Sequence, residues 1–187
     1  MVLIALGLLV AGCTELGRLL DGGPAPSPLA DASAEGRPEG VPADAEPAIV
    51  DRVVDGDTIR VIAAPGGTIP DGGSIRVRLL NIDAPELARD GQDAECLAEA
   101  ATDRLAELLP PTALVWLAAD REDRDRFDRP LRGVWTDDGV FVNELLAAEG
   151  LAAAVLFRPN DRFHGRVVAA ERRAVAGGLG IHGPACS

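Results

Sequence analysis

Ser74-Ile75-Arg76-Val77-Arg78-Leu79-Leu80-Asn81-Ile82-Asp83-Ala84-Pro85-Glu86 is the stretch on which the reading of the fold turns. Ile75, Val77 and Leu79 alternate with Arg76 and Arg78. That predicts a strand over residues 74–82 with one apolar and one cationic face. Pro85 closes it, because proline offers no N–H for further pairing and biases the preceding residue away from helix. Arg78 and Asp83 are five residues apart, so strict alternation would place them on opposite faces. A strand that ends or bulges before Asp83 would let both reach one ligand.

Upstream, residues 48–54 and 58–63 are β-branched and alternating, joined by the tight turn Asp55-Gly56-Asp57. Pro65-Gly66-Gly67 and Asp71-Gly72-Gly73 mark a wide hairpin loop. Downstream, residues 94–109 predict a helix with Leu97, Ala101, Leu105 and Leu108 on one face, stopped by Pro110-Pro111. Residues 112–119 and 131–136 read as strands on either side of a charged loop. A short helix over 143–149 ends at Gly150. Residues 151–157 are apolar and extended, and a last helix over 163–176 carries Phe163, Val167, Ala170 and Ala174 on one stripe. Three strands, a helix, two strands and then helices make an α+β chain with about three helices. A five-stranded barrel with a helix between strands 3 and 4 is the OB-fold plan.

Two acidic clusters flank the quoted stretch. Asp55 and Asp57 are two apart and project to one side of an extended segment, and Asp83 and Glu86 sit on a non-helical turn. Carboxylates and backbone carbonyls suit a hard cation such as Ca²⁺. The only histidines are His164 and His182, and no HExxH occurs, so nothing points to zinc. Taken singly, each cluster reads as an ordinary turn. Arginines change the balance: Arg76 and Arg78 in the strand, then Arg121, Arg124, Arg126, Arg129 and Arg132 in and after the charged loop. Guanidinium clamps phosphate in a bidentate manner. Carboxylates, a cation and two arginines together suggest phosphoryl chemistry. Solvated ion pairs account for most of the remaining arginines.

Val54-Asp55-Gly56-Asp57-Thr58-Ile59, Arg78 to Glu86, and Asp125-Arg126-Phe127-Asp128-Arg129-Pro130-Leu131 together resemble the staphylococcal nuclease (thermonuclease) family. The likeness continues through Val142-Asn143-Glu144-Leu145-Leu146, Glu149-Gly150-Leu151-Ala152 and Arg158-Pro159-Asn160, and covers roughly residues 48–180. The resemblance implies an OB-fold and Ca²⁺-dependent hydrolysis of phosphodiesters in DNA and RNA, leaving a 3′-phosphate and a 5′-hydroxyl. Carried over by position, Asp57 and Asp83 would bind Ca²⁺, with the Ala84 carbonyl as a third ligand and Asp55 beside the metal. Glu86 matches the general base. Arg78 and Arg129 match the pair that binds phosphate and stabilises the transition state. Phe157 and Arg158 stand where the family pattern has an aromatic and a cation for substrate, and Arg126 and Phe127 replace a Lys and a Tyr. A non-catalytic OB module binding nucleic acid or protein is the competing reading. The retained Asp57, Asp83, Glu86, Arg78 and Arg129 speak against it.

The chain has 187 residues, 30 acids and 18 basic residues, every one an arginine, for a net charge of −12. Such acidity excludes a protein that coats nucleic acid through a global basic footprint, while leaving room for a local phosphate grip. Residues 2–10 are almost all apolar, too few to span a bilayer, which takes about 20. They fit a signal-peptide core, and Leu9-Val10-Ala11-Gly12-Cys13 resembles a bacterial lipobox. The expectation is a signal peptide over 1–12, a lipid on Cys13 and a membrane-anchored or secreted protein. No Lys or Arg precedes Cys13, and a plain secretory signal is the alternative. Residues 13–47 read as a Pro/Gly/Ala-rich tether holding six prolines from Pro24 to Pro47, leaving 48–187 as a monomeric nuclease-like domain. With Cys13 taken by lipid, Cys96 in the first predicted helix and Cys186 in the tail remain. An oxidising compartment would pair them, the alternative being two free thiols.

Overall fold

The computed structural model describes Leu29, residues 36–70 and residues 73–186. The expected signal peptide, the lipid site at Cys13 and most of the tether lie outside the described residues. Within residues 36–70 and 73–186, seven strands and three α-helices follow in order: β1 (Glu46–Asp55), β2 (Thr58–Ala63), β3 (Ser74–Leu79), β4 (Ile82–Asp83), α1 (Ala98–Leu108), β5 (Leu114–Ala118), β6 (Leu131–Thr136), α2 (Val142–Ala148), β7 (Ala153–Ala154) and α3 (His164–Gly177). Five of the strands close a barrel in the order β1-β2-β3-β6-β5. All its pairings are antiparallel except β3 with β6, which run parallel with Arg78 opposite Leu131. With α1 between β3 and β5, this is the expected OB plan, in an α+β chain.

The strand predicted over residues 74–82 is two strands. It breaks at Asn81, whose φ is +62°. Asparagine tolerates this left-handed region better than most residues. Its side chain secures the break by donating to the Asn160 carbonyl at 3.0 Å and the Val155 carbonyl at 3.3 Å. After the break, β4 leaves the barrel and pairs with β7, Asp83 opposite Ala153. The strand therefore ends before Asp83, through Asn81 rather than Pro85.

Helix α1 starts at Ala98, not at residue 94. Leu97 takes φ +66° at its N-terminus, so Cys96 precedes the helix instead of lying within it. The buried face is accordingly Ala98, Ala101, Leu105 and the following Leu109. It packs into the barrel core with Val50, Ile59, Val77, Leu79 and Leu117. Gly56 is dictated by this packing: a Cβ there would lie 2.7 Å from the Ala84 Cβ and 2.9 Å from the Ala101 Cβ. The Asp55-Gly56-Asp57 turn thus sits hard against both α1 and the segment after β4. On the other flank, Trp135 stacks on Phe141 and Phe163 packs edge-on to Trp135, with the three ring centroids 4.4–5.5 Å apart, fixing α2 and α3 to β6.

Strand β1 begins at Glu46, and the last residues of the predicted tether lie on the barrel. The Arg37 guanidinium covers the Trp116 ring at 5.2 Å and donates to the Ala45 carbonyl at 3.0 Å. Asp44 forms a two-point pair with Arg162 at 2.7 and 2.8 Å. A disulfide joins Cys96 to Cys186, with their Cα atoms 5.6 Å apart.

Candidate active site

A cleft of about 420 Å³ opens beside the β1–β2 turn. Of the residues singled out in the sequence, Asp55, Asp57, Arg78, Asp83, Glu86, Arg129 and Phe157 all line it. The barrel explains the convergence. The β1–β2 turn presents Asp55 and Asp57, neighbouring β3 supplies Arg78 opposite Thr58, and the Asn81 break swings Asp83 back toward Arg78. The loop before β6 delivers Arg129 from the other side of β3.

Arg78 organises the acidic side. Its Nη2 lies 2.9 Å from Asp57 Oδ2 and 2.8 Å from Asp83 Oδ1, and its Nη1 donates to the carbonyls of Leu79 and Ile82, both at 2.8 Å. Asp57 is buried. Its Oδ2 also accepts the Ala84 N–H at 3.0 Å, which fixes the Ala84 backbone beside it, and its Oδ1 accepts the Thr58 hydroxyl at 3.1 Å. Burial pushes the Asp57 carboxyl up to about 6, outweighing the Arg78 guanidinium. Asp83 and Glu86, by contrast, each have side chains 62% exposed at the mouth of the cleft.

Arg129 is held through its Nε, which donates to Asp125 Oδ2 at 2.7 Å. Asp125 Oδ1 accepts the backbone N–H groups of Phe127 and Arg129, both at 2.9 Å. Burial alone would raise the Asp125 carboxyl, but these N–H groups and the guanidinium hold it below the ordinary carboxylate range. Phe127 is 64% exposed, with the guanidinium carbons of Arg126 and Arg129 over its ring at 4.7 and 5.4 Å. Phe157 is half-buried. It packs against the core, and its ring lies 5.3 Å from the Arg78 guanidinium. Arg158 is exposed at the cis Arg158–Pro159 turn and is not among the residues lining the cleft.

Three residues of the site escaped the sequence reading. Arg89 lines the cleft and pairs with Asp55 Oδ2 at 2.8 Å, while Asp55 Oδ1 accepts the Asp57 N–H at 3.3 Å. Glu95 clamps the Glu86 backbone in both directions: its Oε2 accepts the Glu86 N–H and its own N–H reaches the Glu86 carbonyl, each at 2.9 Å. Asp125 positions Arg129. The Asp125-to-Arg129 spacing of four was legible as an ion-pair signal. The reach of Arg89 and Glu95 across a loop was not.

The cleft offers carboxylate oxygens and no thiolate or imidazole, a donor set that fits a hard cation. Among the described residues no group of three or more His, Cys, Asp or Glu side chains forms a ready metal cage. Asp57 and Asp83 converge on Arg78 instead.

Residues 76–182 match the family described as staphylococcal nuclease homologue. The chain is 36% identical over 126 residues to a thermonuclease of Staphylococcus intermedius, covering 67% of this chain and 70% of that protein. To a thermonuclease of Staphylococcus hyicus it is 34% identical over 123 residues, 66% of this chain and 68% of the relative. A Bacillus subtilis protein, endonuclease YhcR, is 33% identical over 166 residues, which is 83% of this chain but 12% of the far longer relative. The matched span runs from β3 through the charged loop to the tail, the segments that carry Arg78, Asp83, Glu86 and Arg129. This chain is a member of the staphylococcal nuclease family.

Proposed function

We propose that the protein is a Ca²⁺-dependent nuclease that hydrolyses phosphodiester bonds of DNA and RNA to a 3′-phosphate and a 5′-hydroxyl. The observation that carries this reading is the meeting of Asp57, Asp83, Glu86, Arg78 and Arg129 in one cleft of a chain belonging to this family. Asp57 and Asp83 would hold the cation, with the Ala84 carbonyl beside them and Asp55 outside the ligand set. Ca²⁺, when bound, polarises a phosphoryl oxygen as a Lewis acid. Arg78 Nη2 now rests on carboxylate oxygens of Asp57 and Asp83 that cation binding would use. Loading would therefore release that donor to the phosphate. Arg129 approaches with its Nη groups forward, since its Nε is engaged by Asp125. Glu86 stands exposed to water. It would accept a proton from the attacking water while the water oxygen bonds to phosphorus. The bond from phosphorus to the 5′-oxygen breaks, and that oxygen takes a proton from solvent. The two guanidiniums offset the charge that gathers on the equatorial oxygens. Phe157 supplies an apolar face for a base, and Arg158 would act outside the cleft, on the substrate's periphery.

The test is digestion of single-stranded DNA and of RNA by the full chain with Ca²⁺, with Mg²⁺ and with chelator, followed by end-group analysis of the products. Half-saturation by Ca²⁺ is expected at ~10⁻⁴–10⁻³ M, because few charged ligands hold the ion. Mg²⁺ should substitute poorly. Full activity in chelator, or 5′-phosphate products, would overturn this reading. We further propose export, guided by residues 2–10 and the Cys13 lipobox.

A further inference from the structure

A second groove, about 460 Å³, runs beside the cleft and shares Arg89, Phe127 and Arg129 with it. Its other walls are Arg60, Ile75, Arg76 and Asp128, so four arginines face one acid. Asp55 and Asp125 offset Arg89 and Arg129 from just outside it, so in a chain of net charge −12 the groove's excess of positive charge lies at Arg60 and Arg76. The sheet register makes it costly. Arg52 of β1 lies opposite Arg60 of β2, and Arg60 lies opposite Arg76 of β3, a row of three like charges across adjacent strands. Like charges directly opposite each other destabilise a sheet. Relief is partial: Asp51 lies 3.0 Å from Arg52 and 3.8 Å from Arg60, and Arg60 also donates to the Ser74 hydroxyl. Arg76 is exposed and has no ion pair among the described residues. The adjoining Phe127 ring is exposed as well, which the packing of the barrel does not require.

We infer that this groove carries the stretch of a single nucleic-acid strand adjoining the bond in the cleft, with phosphates on Arg60, Arg76 and Arg89 and an unpaired base against Phe127. The inference deepens the nuclease reading and rests on it. A polyanion explains the arginine row, which the fold alone would disfavour. An exposed aromatic ring that already carries guanidiniums favours a single strand over a duplex, because stacking needs an unpaired base. The continuity of groove and cleft through Arg89 and Arg129 gives the strand one path.

The test is fluorescence anisotropy of a labelled single-stranded DNA of about 20 nucleotides, titrated with the full chain in chelator so that nothing is cut. Arg76→Glu should weaken binding at least about 10-fold, and Arg76→Ala should make the slope of log affinity against log salt shallower by about 0.7, the value for one phosphate contact on a single strand. Both variants should melt no lower than the wild type, since each removes a like-charge neighbour of Arg60. Arg173→Glu alters an exposed arginine of α3 that lines neither groove nor cleft, and should have little effect. Undetectable binding by the wild type, unchanged affinity in Arg76→Glu, or an equal loss in Arg173→Glu would each overturn the inference. The readout is binding without hydrolysis. Failure of the nuclease reading would appear separately, as intact strands in the Ca²⁺ digestion.

Discussion

Arg129 is gripped at Nε by Asp125, and its Nη groups have no hydrogen bond or ion pair among the described residues, which separates it from its neighbours in the charged loop. Removing a donor aimed at transition-state charge costs about 10²–10³ in kcat. Arg129→Ala is therefore expected to lose at least about 100-fold in kcat while melting like the wild type. Arg124 spends its guanidinium on Asp123 and Asp128 and on the Asp128 carbonyl, so Arg124→Ala should change turnover only a few-fold. Arg132 differs from the pairing its sequence neighbours suggest. It ignores Asp137 and Asp138. Its fully buried guanidinium meets Asp123 at 2.7 Å and Thr68 Oγ1 at 3.1 Å. Arg132→Ala should destabilise by about 1–3 kcal/mol, since the buried Leu131 carbonyl, which accepts from Arg132 at 2.9 Å, loses its donor. Melting curves measured alongside steady-state kinetics separate these cases. An active Arg129→Ala beside a dead but equally stable Arg132→Ala would move the clamp to residue 132. Asp57 poses a different question. Its carboxyl is raised from 3.8 to about 6, so the fold favours its protonated form. That stabilisation is complete below the unfolded value and is lost as pH rises through the folded one. In cation-free buffer, Asp57→Asn should melt above the wild type at about pH 8 and level with it at about pH 4. Added Ca²⁺ should raise only the wild type. A variant that melts lower at the higher pH would mean that pairing with Arg78 outweighs desolvation.

At the scale of elements, short irregular pieces place the chemistry. Without the left-handed Asn81, β3 would continue and carry Asp83 to the face opposite Arg78. Two-residue β4 is secured by β7 and by Arg78, and the Glu86 that follows is secured by Glu95. Glu95 adjoins Cys96, and the bond to Cys186 ties this turn to a tail that otherwise ends in two 3₁₀ turns, Gly180–His182 and Pro184–Cys186. The bridge spans 90 residues. The chain-entropy description gives a loop of that size up to about 4–5 kcal/mol. We expect the oxidised protein, denatured without reductant, to show no thiol reactive at Cys96 or Cys186, and the Cys96→Ser variant to melt well below it. Two thiols titrating in unreduced protein would end the pairing.

At the scale of the whole molecule, acidity and function pull apart. The domain beyond residue 48 has 23 acids and 16 arginines, a net −7, so repulsion should keep nucleic acid away everywhere except where arginines gather. The barrel gathers them: β2, β3, the loop after β4 and the charged loop bring Arg60, Arg76, Arg89 and Arg129 to one side. The chain entering the barrel is pinned by Arg37 on Trp116 and by Asp44 on Arg162. A lipid at Cys13 would thus hold the domain at the reach of the residues before 36 alone. Intact mass of protein extracted from membranes should show residues 1–12 removed and a diacylated Cys13. Mature protein with an unmodified Cys13 would exclude the anchor.

By itself the sequence determined the barrel, because alternation, turn residues and helix stripes act over a few neighbours and each pointed to the same plan. It also showed the acidic clusters and the arginines by their spacing, while the choice of Asp57, Asp83, Glu86, Arg78 and Arg129 among them came from the resemblance to the staphylococcal nuclease family. Boundaries yielded less. Helix α1 begins four residues later than the apolar stripe predicts, because the stripe takes in Leu97 while the Leu97 backbone, at φ +66°, stands outside the helix. Contacts between residues far apart in the chain were decided by the tertiary structure alone: Arg89 on Asp55, Arg132 on Thr68, Asn81 on Asn160, and Arg52, Arg60 and Arg76 aligned in one row. Local sequence fixes which face a side chain takes. Strand register and barrel closure fix what it meets there, and they depend on the packing of the whole chain at once.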